Sequence, residues 1–226
     1  MPRSRNRPKV LVSWSSGKDS AWMLHLLRQQ AELEVVGLLT TINESFDRVA
    51  MHAVRRKLLE AQACAAGLSL WANPIPWPCS NEEYERRMGS VVAQAKDQGI
   101  EYIAFGDLFL EDIRRYRIKK LASTGIKPVF PLWGQPTGHL ARQMIAAGLK
   151  AVLTCVDPKQ MDRCFVGRSF DEFLLAELPP GVDPCGEKGE FHTFCHSGPM
   201  FSAPVPIKMG ELAERDGFWF ADVLPG

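Results

Sequence analysis

The stretch KVLVSWSSGKDS, residues 9–20, decides the fold of this chain. Its first six residues are an apolar run typical of a short buried strand, and the apolar residues of segment 19–30 recur at helical spacing. A polar loop that contains one glycine therefore lies between a strand and a helix. This order is the opening unit of an α/β protein.

The same alternation continues along the chain. Predicted strands cover residues 34–42, 68–75, 102–106 and 151–156, and predicted helices cover residues 49–66, 82–98, 110–123, 139–147 and 170–178. We expect a Rossmann-like α/β fold, in which helices flank a parallel sheet. The proline- and glycine-rich segment 127–138 marks a boundary. It divides the chain into a first domain, residues 8–133, and a smaller mixed C-terminal lobe, residues 134–226.

Composition narrows the class of protein. The chain has 226 residues, 46% of them hydrophobic, which is enough for one sizeable core. A formal net charge of +1 with interspersed signs does not favour nucleic acid or an anionic membrane as a partner. The six cysteines form no CxxC pair, and no leader or long apolar run is present, so we expect a cytoplasmic protein without a membrane partner.

The loop at residues 15–20 has the chemistry of a phosphate site. In an open parallel sheet, ligands bind beyond the carboxyl ends of the strands, which is where this loop lies. Gly17 permits a tight turn, Lys18 carries positive charge, and N–H groups at a helix start attract anions. The loop hydroxyls of Ser15, Ser16 and Ser20 add hydrogen-bond donors. An ordinary helix start, with a capping serine and a dipole-favoured Asp19, explains the same residues.

Comparison with known phosphate-binding motifs narrows the class of loop to which residues 15–20 belong. The sequence is neither a Walker A loop nor a GxGxxG fingerprint. It resembles SGGxDS, the pyrophosphate-binding signature of the ATP pyrophosphatase (PP-loop) enzymes, which cut ATP between its α and β phosphates. Ser16 stands where that signature has its second glycine. If this position needs positive φ, serine is strained there by about 1 kcal/mol or more.

Two further polar clusters follow. In the first, residues 106–116, Asp107 is a candidate ligand for Mg²⁺ or a substrate hydroxyl, and Glu111 with Arg115 forms a predicted i,i+4 pair. In the second, residues 186–193, an extended chain would place Glu190 and His192 on one face, where the histidine would serve as a general base near neutral pH. A solvated helix start and a surface hairpin explain these two clusters about as well.

The three clusters together, in this order, resemble the diphthine–ammonia ligase family of ATP pyrophosphatases over nearly the whole chain. The resemblance implies an adenine nucleotide α-hydrolase-like N-terminal lobe that uses ATP and Mg²⁺. It implies phosphate binding by Ser15, Ser16, Gly17, Lys18, Asp19 and Ser20. The implied catalytic residues are Asp107, Glu190 and His192, and the implied acceptor-binding residues are Glu111, Arg115, Glu187 and Thr193.

The implied reaction is an attack by a substrate carboxylate on the α-phosphate, followed by displacement of AMP by ammonia to form an amide. Relatives of this subtype occur in bacteria, which lack the diphthamide-bearing elongation factor, so a carboxylate other than diphthine is open as the acceptor. A homodimer is also left open. Two other classes stay open: a PP-loop sulfur or nitrogen transferase on RNA, and a non-catalytic ATP-binding protein. Near-zero net charge opposes the first, and the acid/base cluster at residues 187–193 opposes the second.

Overall fold

The computed structural model describes residues 7–49 and 54–226. The strands are β1 (Lys9–Ser13), β2 (Glu34–Asn43), β3 (Arg48–Val49), β4 (Ser69–Ile75), β5 (Ile100–Ala104), β6 (Lys127–Val129), β7 (Lys150–Val156), β8 (Phe191–Ser197), β9 (Ile207–Arg215) and β10 (Phe218–Pro225). The α-helices are α1 (Lys18–Gln30), α2 (Arg56–Ala66), α3 (Asn81–Asp97), α4 (Glu111–Leu121), α5 (Thr137–Ala146) and α6 (Glu172–Glu177). In these described ranges, no helix has the length and apolar character needed to cross a membrane.

The first sheet is mostly parallel and has β1 at its centre. β1 pairs in parallel with β2 on one side and with β5 on the other. β4 extends the sheet beyond β2, and β6 extends it beyond β5, again in parallel. Only the short β3 is antiparallel, on the last two residues of β2. The predicted α/β fold with flanking helices is confirmed, and the carboxyl ends of β1, β2 and β5 meet at one edge.

The second sheet is antiparallel, with the strand order β8, β7, β10, β9. The predicted strand at residues 151–156 therefore belongs to this sheet and does not continue the parallel one. The two sheets share one apolar core, which includes Val12 and Leu58 from the first part of the chain and Leu153 and Phe194 from the second. This common core brings the end of β1 close to β8.

The predicted helices match the observed ones to within about two residues at each end, except at the start of the helix predicted for residues 49–66. The helix predicted for residues 49–66 starts only at Arg56, because Val49 pairs with Ile42 in the sheet; residues 50–53 lie outside the described part of the chain. The helix predicted for residues 170–178 is shorter because the Asp171 carboxylate accepts from the N–H of Leu174 at 2.8 Å and so begins the helix there. Strand β6 was missed because it has three residues, one of them proline.

Candidate functional site

The loop between β1 and α1 makes its turn at Ser16. Ser16 has φ of 72°, whereas Gly17 has φ of −82° and is extended. The prediction that Gly17 provides the tight turn is wrong, and the expected strain at Ser16 is confirmed. The residue before α1 is Gly17, which provides no side-chain cap, so the capping serine also fails as an explanation. The Ser20 hydroxyl instead donates to the Gly17 carbonyl at 3.0 Å.

Contacts from two elements, β8 and α2, hold Ser16 in this conformation. Its carbonyl accepts from the N–H of Cys195 at 2.9 Å and from the side-chain amide of Gln62 at 3.0 Å. Gln62 also donates to the Cys195 carbonyl and accepts from the Trp14 indole at 2.9 Å. The Ser16 hydroxyl is fully buried and has no hydrogen-bond partner among the described residues. A strained serine persists here because its surroundings over-determine its geometry.

Lys18 contacts the C-terminal part of the chain at both of its ends. Its backbone N–H donates to the hydroxyl of Thr193 at 3.1 Å. Its ammonium donates to the backbone carbonyl of Cys185 at 2.5 Å and to the two carboxylate oxygens of Asp19 at 2.8 and 3.1 Å. The first and third predicted clusters are therefore joined through one residue.

The surroundings of the Lys18 ammonium are otherwise apolar. Lys18 is 2% exposed, and its ammonium lies 5.4 Å from the ring centroids of Phe170 and Phe191. Burial lowers the pKa of Lys18, but the charge of Asp19, its hydrogen bond with Lys18 and the further charges of Cys185 and Glu187 together leave the pKa above its ordinary value. Lys18 is therefore a buried, charged group with fixed partners.

The second cluster packs against the same loop. A Cβ on Gly106 would lie 3.5 Å from the backbone nitrogen of Ser20, so residue 106 passes close to the start of α1. Two positions further on, the N–H of Leu108 donates to the Glu187 carboxylate at 2.8 Å. The structure thus brings parts of all three clusters to one edge of the first sheet.

Glu187 is the carboxyl group with a pKa near neutrality. Burial raises its pKa to about 7, and the negative charges of Asp19 and Asp107 add to this rise. The hydrogen bond from the Leu108 N–H acts in the opposite direction. This shift follows from the meeting of three distant segments, so no local sequence signal could have revealed it.

The hydrogen bonds of Glu190 hold its own loop in place. It is 1% exposed, and its carboxylate accepts from the backbone N–H groups of Asp183 and Lys188 at 2.8 and 2.9 Å. The carboxylate of Asp183 in turn accepts from the Cys185 N–H and from the Thr137 hydroxyl, at 2.9 and 2.6 Å. These bonds fix the loop at residues 183–190, whose carbonyl at position 185 binds Lys18.

His192 does not have the near-neutral pKa that the sequence predicted. Burial, together with the positive charge of Lys18, lowers its pKa to about 4. Glu190 precedes β8, and its carboxylate is directed to backbone N–H groups of its own loop. His192 is therefore neutral at pH 7, which excludes the charged form from the resting site.

Asp107 pairs with an arginine of the following helix. Its carboxylate accepts from Arg117 at 2.6 and 3.1 Å, and the guanidinium lies 4.4 Å from the ring centroid of Phe105. No group of three or more His, Cys, Asp or Glu side chains suited to a metal ion occurs among the described residues. Asp107 lies at the predicted edge, but its oxygens are already engaged.

The predicted pair of Glu111 with Arg115 is wrong. Arg115 binds Asp112 at 2.5 Å, and Glu111 lies 3.7 Å from Arg114. Both contacts have i,i+3 spacing, because the side chains at the start of α4 find nearer partners than the i+4 position offers. Glu111 and Arg115 are exposed and do not line the cavity described next.

A cavity of about 570 Å³ lies at the carboxyl ends of the central strands, between α3 and α4. Its walls include Ser15 from the loop, Thr40 from β2, Phe105 from the end of β5, Arg117 from α4 and His192 from β8. Among the predicted site residues, Ser15 and His192 face this space. Sequence reasoning missed Arg117, although its acidic neighbour Asp107 lies in the cluster of residues 106–116 and its aromatic neighbour Phe105 directly precedes that cluster.

The fold and the loop define a nucleotide-binding α/β protein of the PP-loop class. The family described as diphthamide synthase N-terminal domain matches residues 8–128, and the diphthamide synthase C-terminal domain family matches residues 136–223. The chain belongs to the diphthamide synthase family.

Curated relatives carry the name diphthine–ammonia ligase. The rat protein is 27% identical, with 95% of this chain and 88% of that protein covered, and the zebrafish (Danio rerio) protein is 26% identical, with 95% and 92% covered. The match to the bovine protein is 26% identical and spans 70% of this chain but only 61% of the bovine protein.

One solved structure is also similar, the predicted subunit of tRNA methyltransferase from Methanocaldococcus jannaschii. It is 16% identical with a TM-score of 0.42, and the alignment covers 85% of this chain and 98% of that one.

Proposed function

We propose that this chain is an ATP-dependent ligase that adenylylates a substrate carboxylate, releases pyrophosphate and forms an amide with ammonia. In this proposal residues 8–133 bind ATP, and residues 134–226 complete the site and bind the acceptor. The single observation that carries the proposal is the loop of Ser15–Ser20 at the end of the central strand, directly beside the cavity of about 570 Å³. The names of the relatives support the same reaction.

The residues present fit an adenine nucleotide. The Ser15 hydroxyl lines the cavity and lies 3.2 Å from the Ser20 hydroxyl, so two hydroxyl groups lie together at the mouth of the loop. The residue before α1 is Gly17, which provides no side-chain cap, and the positive end of the helix dipole suits an anion. The cavity wall as a whole is largely apolar and suits a base. We therefore propose that phosphates bind at Ser15, Ser16, Gly17, Asp19 and Ser20.

Bound ATP would supply an activated phosphorus for the carboxylate oxygen and pyrophosphate as a leaving group. The chain would contribute orientation and proton transfer. Ammonium must lose a proton before it attacks, and Glu187, with a pKa of about 7, is a carboxylate suited to accept that proton at neutral pH. We propose Glu187 for this step. His192, in its neutral form, would contact the bound substrates at the cavity wall. Glu190 would hold the loop that carries Glu187 in place.

Mg²⁺ and the acceptor belong to the proposal as well. Asp107 is our candidate magnesium ligand, which requires that Mg²⁺ replace Arg117 on at least one carboxylate oxygen. The acceptor is a carboxylate, either diphthine, as the names of the relatives state, or a smaller acid. Glu111 and Arg115, exposed at the start of α4, are proposed contacts for a large acceptor.

The test is the identity of the nucleotide products. The full-length chain is incubated with ATP, Mg²⁺, ammonium and a panel of carboxylic acids, and the nucleotides are separated by chromatography. We expect AMP and pyrophosphate, and we expect Asp19→Ala to abolish both while the fold persists. Asp112→Ala, an exposed acidic residue outside the cavity, is the matched control with unchanged turnover. Formation of ADP and phosphate would contradict the proposed reaction.

A further inference from the structure

The residue type and position of Lys18 predict a phosphate-binding side chain, but in the structure its ammonium binds protein groups instead. An ammonium has three N–H donors. The three acceptors within reach are the two oxygens of Asp19, at 2.8 and 3.1 Å, and the Cys185 carbonyl, at 2.5 Å. Each donor thus has an acceptor, and none is left for a phosphate oxygen unless this buried group first gives up a partner.

Thr193 is predicted to bind the acceptor because it belongs to the third cluster. In the structure it contacts the phosphate loop. It is 2% exposed, and its hydroxyl oxygen accepts from the backbone N–H of Lys18. Two residues further along β8, the N–H of Cys195 donates to the carbonyl of Ser16. Because β-strand residues alternate with a period of two, positions 193 and 195 approach the loop from one stretch of β8.

We propose that Lys18 and Thr193 are positioning residues, through which the C-terminal lobe holds the phosphate loop in the conformation that binds ATP. Lys18 binds the lobe at two points, Thr193 through its N–H and Cys185 through its ammonium. Neither residue contacts the phosphates or the carboxylate acceptor through its side chain. This inference rests on the proposed function, because it takes ATP as the ligand of the loop.

The strain at Ser16 supplies the physical reason for such a device. A non-glycine residue at φ of 72° is strained and relaxes unless neighbouring contacts hold it. Besides Gln62 of α2, the contacts that hold it come from the other lobe, at Cys195, and from the adjacent residue Lys18, which Thr193 fixes. Loss of the Thr193 hydroxyl should therefore loosen the loop and weaken ATP binding without touching the acceptor.

The experiment compares Thr193→Val with Thr193→Ser in the full-length chain. The probe is ATP with Mg²⁺, and its dissociation constant is measured by titration calorimetry. We expect Thr193→Val to raise this constant by about 3- to 10-fold, the range that one lost hydrogen bond gives. We expect Thr193→Ser, which keeps the hydroxyl, to restore it to within about 2-fold. With a carboxylate that supports turnover, the KM for that carboxylate at saturating ATP should be unchanged in both variants.

Three results would overturn the inference. An unchanged dissociation constant in Thr193→Val shows that the hydroxyl does not position the loop. A raised KM for the carboxylate with unchanged ATP binding shows that Thr193 contacts the acceptor. Failure of the serine variant to restore ATP binding shows that the hydroxyl is irrelevant. If the valine variant does not fold, Thr193→Ala gives the same comparison. Absence of ATP binding by the unchanged chain would overturn the proposed function as well, so the two failures are distinct.

Discussion

The backbone N–H of Cys195 donates to the carbonyl of Ser16 at 2.9 Å, across 179 positions of the chain. This bond joins the strained residue of the phosphate loop to a central residue of β8. The local sequence permits the loop, but a distant strand determines its geometry. Stability and ligand binding at this edge should therefore respond to changes in either lobe.

Ser16→Gly should stabilise the protein. Glycine relieves about 1–2 kcal/mol of strain at φ of 72° and removes a buried hydroxyl without a described partner, against about 0.4–1 kcal/mol of added entropy in the unfolded chain. We expect a rise of about 1 kcal/mol in the free energy of unfolding, measured with urea. Ser90→Gly, on the exposed face of α3, is the control and should lower it by about 0.5–1 kcal/mol. A loss of stability in Ser16→Gly would show that the hydroxyl has a stabilising partner.

His192 should make the protein sensitive to acid. Its pKa falls from 6.5 to about 4 on folding, so the folded state stays neutral while the unfolded state binds a proton. Stability from this group is complete above pH 6.5 and is lost as pH falls through 4, by up to about 3 kcal/mol. Urea unfolding at pH 7 and pH 4.5 should show a smaller decrease in His192→Asn than in the unchanged chain. Equal decreases would refute the assignment.

Glu187 should have the opposite effect on stability. Its pKa rises to about 7 on folding, so its contribution is complete below pH 4.5 and is lost as pH rises through about 7. Because the group is partly solvated, we expect the loss to be on the order of 1–2 kcal/mol. Glu187→Gln should remove this decline between pH 5.5 and pH 8.5. The trends of His192 and Glu187 have opposite signs, so single variants are needed to separate them.

Asp107 and Arg117 should be coupled energetically. Their side chains are 12% and 31% exposed and share two hydrogen bonds. In the absence of nucleotide and Mg²⁺, we expect Asp107→Asn and Arg117→Met each to cost about 1–2 kcal/mol, and the double variant to cost about 1 kcal/mol less than their sum. Asp112→Asn, on the exposed pair with Arg115, should change stability by less than about 0.5 kcal/mol. Strict additivity at positions 107 and 117 would show that the pair is not formed in solution.

The sequence contained the parts of the fold that depend on local periodicity. The run KVLVS, the helical spacing after Asp19 and the alternation of strands and helices predicted the central parallel sheet correctly. Strand β7 was predicted as a strand, but its antiparallel partners depend on pairing with β8 and β10, which periodicity cannot show.

The site was predictable in position but not in detail. The first two polar clusters meet because the carboxyl ends of parallel strands share an edge, and the third joins them through the core that the two sheets share. The contact between Lys18 and Thr193 joins residues 175 positions apart, and the pKa of Glu187 depends on burial between three segments. Pairings and burial of this kind arise only from tertiary packing, so the residue types alone pointed to other roles.

The central claim is that ATP activates a carboxylate oxygen at the loop of Ser15–Ser20. The most direct measurement uses an acceptor whose carboxylate carries ¹⁸O and analyses the nucleotide product by mass spectrometry after a single turnover with ammonium. We expect AMP that contains one ¹⁸O atom from the carboxylate, because that oxygen stays on phosphorus when ammonia displaces AMP. AMP without ¹⁸O, or ADP in its place, would show that the carboxylate is not adenylylated.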